Sequence, residues 1–271
     1  MATLVLFHAH PDDESIGTGG TAARAAAEGH RVVLVVATGG EHGEVPDDLA
    51  PEESLVERRR AETERSAAVL GIHRVAWLGY QDSGMNGWQQ NSDPRSYHLA
   101  PLDEAAQRLA AILTEEEADV LTCYDWHGNY GHPDHVQVHR VGHEGARLAG
   151  VSEVWESTMN RDELRRFMDL ARAAGAPEEE LFDPESPMDD GNPMGTPQAG
   201  IHLRVDVSAY VDRKRASIAC HASQVTDTGM FLSMPEDQFN LAFGTEWFIR
   251  AGAAPPTAGP VDGWLLNAHP K

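Results

Sequence analysis

The chain has 271 residues, 41% of them hydrophobic, which is enough to build a buried core and excludes global disorder. Its formal net charge of −22 excludes a nucleic-acid backbone or an anionic membrane surface as partner, though not a small anion held by a local arginine. Two cysteines, Cys123 and Cys220, are too few for a disulfide framework and read as thiols of a reducing cytosol.

The apolar run at 4–7 predicts a buried strand beginning almost at once, so no secretory signal is expected. No apolar stretch approaches the roughly 18 residues of a membrane span, and a cytoplasmic location is expected. The strand runs into His10-Pro11-Asp12-Asp13-Glu14, an imidazole and three carboxylates at a strand end. In open α/β sheets that is where ligands bind and chemistry occurs. An Ala-rich helix is predicted over 18–28, stopped by Gly29, and then a continuous β-branched strand over 31–37. An acidic Gly/Pro loop at 39–51 leads to a charged helix over 52–70 that ends at Gly71. After a short strand at 74–78, the loop 79–101 is too long for a connector and is a candidate binding loop. A helix over 102–117, a strand at 120–124, a helix over 135–149 and a strand at 151–157 complete the alternation. Beyond it come a helix over 161–174, an acidic Pro-rich excursion at 175–200, a strand at 201–205, a helix over 207–219 and a Gly/Pro-rich tail from 251.

Strands alternating with helices imply βαβ units: a Rossmann-like α/β fold, its mostly parallel sheet covered by helices on both faces. The alternation spans residues 1–157 and weakens over 158–271.

A second cluster, His132-Pro133-Asp134-His135, follows the strand at 120–124. Two His/Asp clusters at two strand ends point to one metal site assembled from distant loops. His10 and Asp13 supply the first part, and His132, Asp134 or His135 the second. A rival lies on the helix itself, where His135, His139 and His143 share a face at i, i+4 and i+8. No Glu follows the first of them as in H-E-x-x-H, so His139 and His143 read as surface or packing residues. No G-x-S-x-G elbow is present. Gly17-Thr18-Gly19-Gly20 lacks dinucleotide-loop spacing, because the third glycine position falls on Ala22.

The two clusters together resemble the LmbE-like (PIG-L) metal-dependent N-deacetylases, which include N-acetylglucosaminyl-inositol deacetylases and mycothiol S-conjugate amidases. Further matches are Thr38-Gly39-Gly40-Glu41-His42-Gly43-Glu44, Asp82-Ser83-Gly84-Met85 and His221-Ala222-Ser223-Gln224. The resemblance implies a catalytic core over residues 1–157 and a smaller C-terminal α+β part over 158–271 that completes and caps the site within one structural unit. It implies one Zn²⁺ held by His10, Asp13 and His135, and attack by zinc-bound water with Asp12 as general base. It implies that His132, oriented by Asp134, stabilises the oxyanion or protonates the leaving amine. Tyr130 matches a mobile tyrosine that helps hold the oxyanion, and Gly128 and Gly131 read as leaving its loop free to move. Arg59 and Asp82 fall where relatives bind the sugar or its polar attachment. The substrate is then a small N-acyl, chiefly N-acetyl, amino sugar or related thiol conjugate, with no nucleic acid, no membrane span and an oligomer allowed. Two other classes compete: a two-metal phosphoesterase, which needs a second ion about 3.5–4 Å from the first, and a binding protein without catalysis.

Overall fold

A computed structural model describes residues 1–178, 181–188 and 190–266, leaving out the side chains of residues 225, 227 and 228. Parts of the excursion at 175–200 and the end of the tail from 251 therefore lie outside the described residues. Five parallel strands form the centre: β1 (Thr3–His8), β2 (Arg31–Thr38), β3 (Arg74–Tyr80), β4 (Val120–Tyr124) and β5 (Glu153–Thr158). They are joined through α1 (Asp13–Gly17), α2 (Gly19–Ala27), α3 (Leu55–Leu70), α4 (Leu102–Glu115), the single turn α5 (Gly128–Gly131) and α6 (Pro133–Ala149). The order β3-β2-β1-β4-β5 makes β1 and β4 neighbours whose chains leave in opposite directions. The crevice at their C-terminal ends is the switch point where such sheets bind ligands.

The apolar strands divide by side-chain parity. Val5, Phe7, Val33 and Val35 face Ala105, Leu109 and Leu113 of α4 and Val138 and Val141 of α6. Leu4, Leu6, Val32, Leu34 and Val36 face Ala22, Ala23 and Ala25 of α2 and Leu70 of α3. Continuous burial on both faces is why these strands read as unbroken β-branched runs.

Local boundaries follow capping. α3 starts at Leu55 rather than at residue 52 because Ser54 and Glu57 form a reciprocal capping box, and it stops at Gly71 in the left-handed region. The helix expected over 18–28 is split, because Thr18 at φ −138° separates α1 from α2.

After α7 (Arg161–Ala173) the chain returns to the same sheet. β6 (Leu203–Asp206), α8 (Val211–Ile218), α9 (Val225–Leu232), α10 (Glu236–Phe243), β7 (Thr245–Arg250) and β8 (Val261–Asp262) follow. β7 inserts antiparallel between β5 and β6, extending the order to β5-β7-β6-β8. The sequence pattern does not announce β7, because its apolar residues share the strand with Glu246, whose burial depends on distant partners. The Glu246 carboxylate accepts the Gly20 and Thr21 N–H groups at 2.9 and 2.8 Å, at the N-terminus of α2, and pairs with buried Lys214 Nζ at 2.6 Å. Among the described residues no helix is long and apolar enough to cross a membrane.

Candidate active site and metal centre

The loop after β1 brings His10, Asp12 and Asp13 into the crevice, and the turn before α6 brings Tyr130, His132, Asp134 and His135. Asp13 Oδ2 is the point of convergence. It accepts the His10 main-chain N–H at 2.8 Å and lies 3.4 Å from His10 Nδ1 and 3.5 Å from His135 Nε2. Each ring is fixed from its other nitrogen. His10 Nε2 reaches Asp134 Oδ2 at 3.2 Å, and His135 Nδ1 reaches the Gly128 carbonyl at 3.3 Å. His135 Nε2 is buried without a hydrogen-bond partner. A buried polar atom with no partner is costly unless something outside the protein completes it. Imidazoles anchored by a carboxylate or carbonyl, each with a second nitrogen aimed at one carboxylate, are the donor set a divalent metal requires. His10, Asp13 and His135 therefore fit the expected ion. His10, His132 and His135 also place ligand atoms within 4.8 Å of one another, but Nδ1 of His132 is already used.

Burial opposes charge throughout this cluster, and neighbours outweigh it at Asp13 and His10. His135 and His10 hold Asp13 well below the ordinary carboxylate range, and Asp82, Asp13 and Asp134 hold His10 well above the ordinary imidazole value. Burial pushes Asp12 up to about 6, against the pull of Arg59 and with a further push from Asp13. Burial, with the His10 and His135 charges, holds His132 well below its ordinary value. Its Nδ1 accepts the Asp134 N–H at 3.1 Å, so the neutral ring carries its proton on Nε2.

That contact corrects one expectation. The Asp134 carboxylate does not orient His132. It serves His10 and takes the Ser83 N–H at 2.9 Å together with the Ser83 hydroxyl, while His132 is held by the Asp134 main chain. The reason is α6 geometry: His132 is the N-cap, and its ring folds back onto the first helical N–H groups.

A second correction concerns the Tyr130 turn. Gly128 sits at φ +66°, and a Cβ there would meet the His135 Cβ at 2.3 Å. Gly131 sits at φ +87° against Asp190. Asn129 between them donates to Asp125 at 2.9 Å, accepts the Met159 N–H at 3.0 Å and accepts the Gly195 N–H at 2.6 Å. The glycines serve close approach and left-handed backbone, and the turn is clamped. The Tyr130 ring stands edge-on to His135 at 4.9 Å and to His132 at 6.2 Å.

Arg59 and Asp82 both flank the cluster. Arg59 is 4% exposed, and its guanidinium bonds Asp12 Oδ2 at 3.0 Å, the Gly40 carbonyl at 2.9 Å and the Pro11 carbonyl, so it sits behind Asp12. Asp82 lies 3.5 Å from His10 Nε2 and accepts the Gly84 and His42 N–H groups at 2.8 and 3.2 Å. Burial opposes its charge, but His10 and the Gly84 N–H hold it below the usual carboxylate range.

Sequence reasoning assigned no role to Glu14, Ser66, Ser217 or His221. Fully buried Glu14 accepts from His221 Nε2 at 2.8 Å, Ser66 Oγ at 2.5 Å and Ser15 Oγ at 2.9 Å on one oxygen, and from the Asp12 N–H at 3.1 Å on the other. Asp12 at φ 98° is strained backbone, costing about 1–3 kcal/mol, and Glu14 and Arg59 pin it. The signals were Glu14 itself, at the end of the His10–Glu14 motif, and the His221-Ala222-Ser223-Gln224 patch, neither of which indicated a contact.

The PIG-L model, described as GlcNAc-PI de-N-acetylase, matches residues 5–145. A relative from Thermobifida fusca (strain YX), named 1D-myo-inositol 2-acetamido-2-deoxy-alpha-D-glucopyranoside deacetylase, is 38% identical over 96% of this chain and 96% of its own. The conserved protein TT1542 from Thermus thermophilus is similar in structure, with TM-score 0.58 and 21% identity over 95% of this chain and 98% of that one. The N,N'-diacetylchitobiose deacetylase from Pyrococcus horikoshii gives TM-score 0.56 and 22% identity over 94% of this chain and 87% of that one. On the family match and the full-length relative, the chain belongs to the PIG-L family of de-N-acetylases.

Proposed function

We propose that the protein is a zinc-dependent, cytoplasmic N-deacetylase that hydrolyses the acetamide of a small N-acetylglucosaminyl-inositol. The observation that carries the reading is the buried, unpartnered His135 Nε2 beside Asp13 Oδ2, with His10 Nδ1 approaching the same oxygen. The substrate class comes from the relatives, whose printed name is that of an acetamido-glucosyl-inositol deacetylase and whose alignment with this chain is nearly end to end. Residues 1–157 then supply the chemistry, and 158–271 complete and cover it.

His10, Asp13 and His135 would hold a divalent ion, which would supply polarisation of the amide carbonyl and a lowered pKa for water. Asp12, next to Asp13 and held by Arg59, takes the proton of the attacking water. His132, with its proton on Nε2, donates to the oxyanion or to the leaving amine, and the Tyr130 hydroxyl assists. Asp82 meets a sugar hydroxyl, while Arg59 acts through Asp12 as a positioning residue. The two-metal alternative is disfavoured, because the oxygens of Asp82 and Asp134 already accept main-chain and hydroxyl donors.

The test is free-amine release from N-acetylglucosaminyl-inositol by chelated and Zn²⁺-restored protein. Turnover should vanish on chelation and return with metal. Full turnover by the metal-free protein refutes the metal role, and no amine from the zinc-loaded protein refutes the substrate class.

A further inference from the structure

Helix α6 carries three histidines on one face, and only the first belongs to the cluster around Asp13. His139 and His143 face Glu156 of β5. Glu156 Oε1 lies 2.7 Å from His143 Nε2, and the His139 and His143 rings are 4.4 Å apart. The three side chains place ligand atoms within 4.8 Å of one another.

Glu156 is 8% exposed, and among the described residues no lysine or arginine lies against it. A carboxylate this buried needs a positive charge beside it. His139 Nδ1 meets the Tyr124 carbonyl at 3.1 Å, so Nε2 keeps its lone pair, the outer anchoring that metal-bound histidines use. His143 is 37% exposed along its side chain, which leaves an entry path and room for water ligands.

We propose that His139, His143 and Glu156 form a second metal site, separate from the one at Asp13. Two imidazole nitrogens and one carboxylate oxygen select a borderline transition ion such as Zn²⁺, Ni²⁺ or Cu²⁺ over Ca²⁺ or Mg²⁺. The i, i+4 spacing on a packed helix fixes the two rings in advance, and the strand contributes the charge.

The experiment titrates the metal-free full chain with Zn²⁺ by calorimetry and follows melting temperature alongside. Wild type should take up two equivalents, with a second rise in melting temperature as the second binds. His143→Ala and Glu156→Gln, the latter nearly isosteric, should weaken one association at least tenfold and abolish that second rise while keeping the other. His135→Ala should lose the other equivalent and keep this one. One equivalent in wild type, or two undiminished equivalents in both His143→Ala and Glu156→Gln, overturns the proposal. An intact pair of equivalents in His135→Ala would instead count against the site at Asp13, leaving the His143 arm to stand alone.

Discussion

Replacing Glu14 by Gln removes one charge from a fully buried polar network and leaves its shape nearly unchanged. Burial alone would raise the Glu14 pKa, but His221 and Ser66 bring it down from 4.5 to about 2. That depression is worth about 3 kcal/mol. At about 2–4 °C per kcal/mol for a chain of this size, Glu14→Gln should melt roughly 6–12 °C lower. The pH dependence separates this cause from a packing defect. Glu14 is depressed, so its contribution is present above 4.5 and fades as pH falls toward about 2. Burial pushes His221 down, but Glu14 raises it above 6.5, so its contribution is present below 6.5 and fades as pH rises through its folded value. The gap between wild type and variant should therefore be widest between about pH 4.5 and 6.5 and narrow on both sides. Urea unfolding across that range, repeated on His221→Gln and on the double variant, measures the coupling. A gap under about 1 kcal/mol, or one flat with pH, would refute the reasoning.

Gly128→Ala puts a methyl group 2.3 Å from the His135 Cβ at a backbone φ of +66°, so His135 must move. Zn²⁺ affinity by competition with a chromophoric chelator should fall at least tenfold, and an unchanged affinity would show that the approach is not tight. Asp12→Asn should keep its metal and lose roughly 10²-fold in kcat, the scale of a positioned base, checked by metal analysis beside amine release. Tyr130→Phe removes only a hydroxyl and should lower kcat about tenfold or more with melting temperature preserved, since one donor to developing charge is worth about 1.4–4 kcal/mol. Wild-type kcat would discard the hydroxyl's role.

The parallel core was legible because it is local. The runs at 4–7 and 31–37 are buried on both faces, and such strands carry their signal residue by residue. The convergence of His10, Asp13 and His135 was legible for a related reason. Each lies within a few residues of a strand end or helix start, so the sheet order alone brings them together. What escaped depends on contacts with no local period. Glu14 meets His221 across 207 residues, and Glu246 meets Gly20 across 226. The glycines of the Tyr130 turn misled for a different reason. Glycine marks both a mobile loop and a place where two chains press close, and only the 2.3 Å approach to His135 decides between them. Asp134 misled because adjacency to His132 suggests a side-chain contact, whereas the N-cap geometry of α6 gives that task to its N–H and frees the carboxylate for His10. Apart from Glu246, these misses concern the groups that hold His10, Asp12, His132 and His135 in place, and not those residues themselves. The candidate ligands are written in motifs, and the contacts that orient them are written in pairings that only the folded chain assembles.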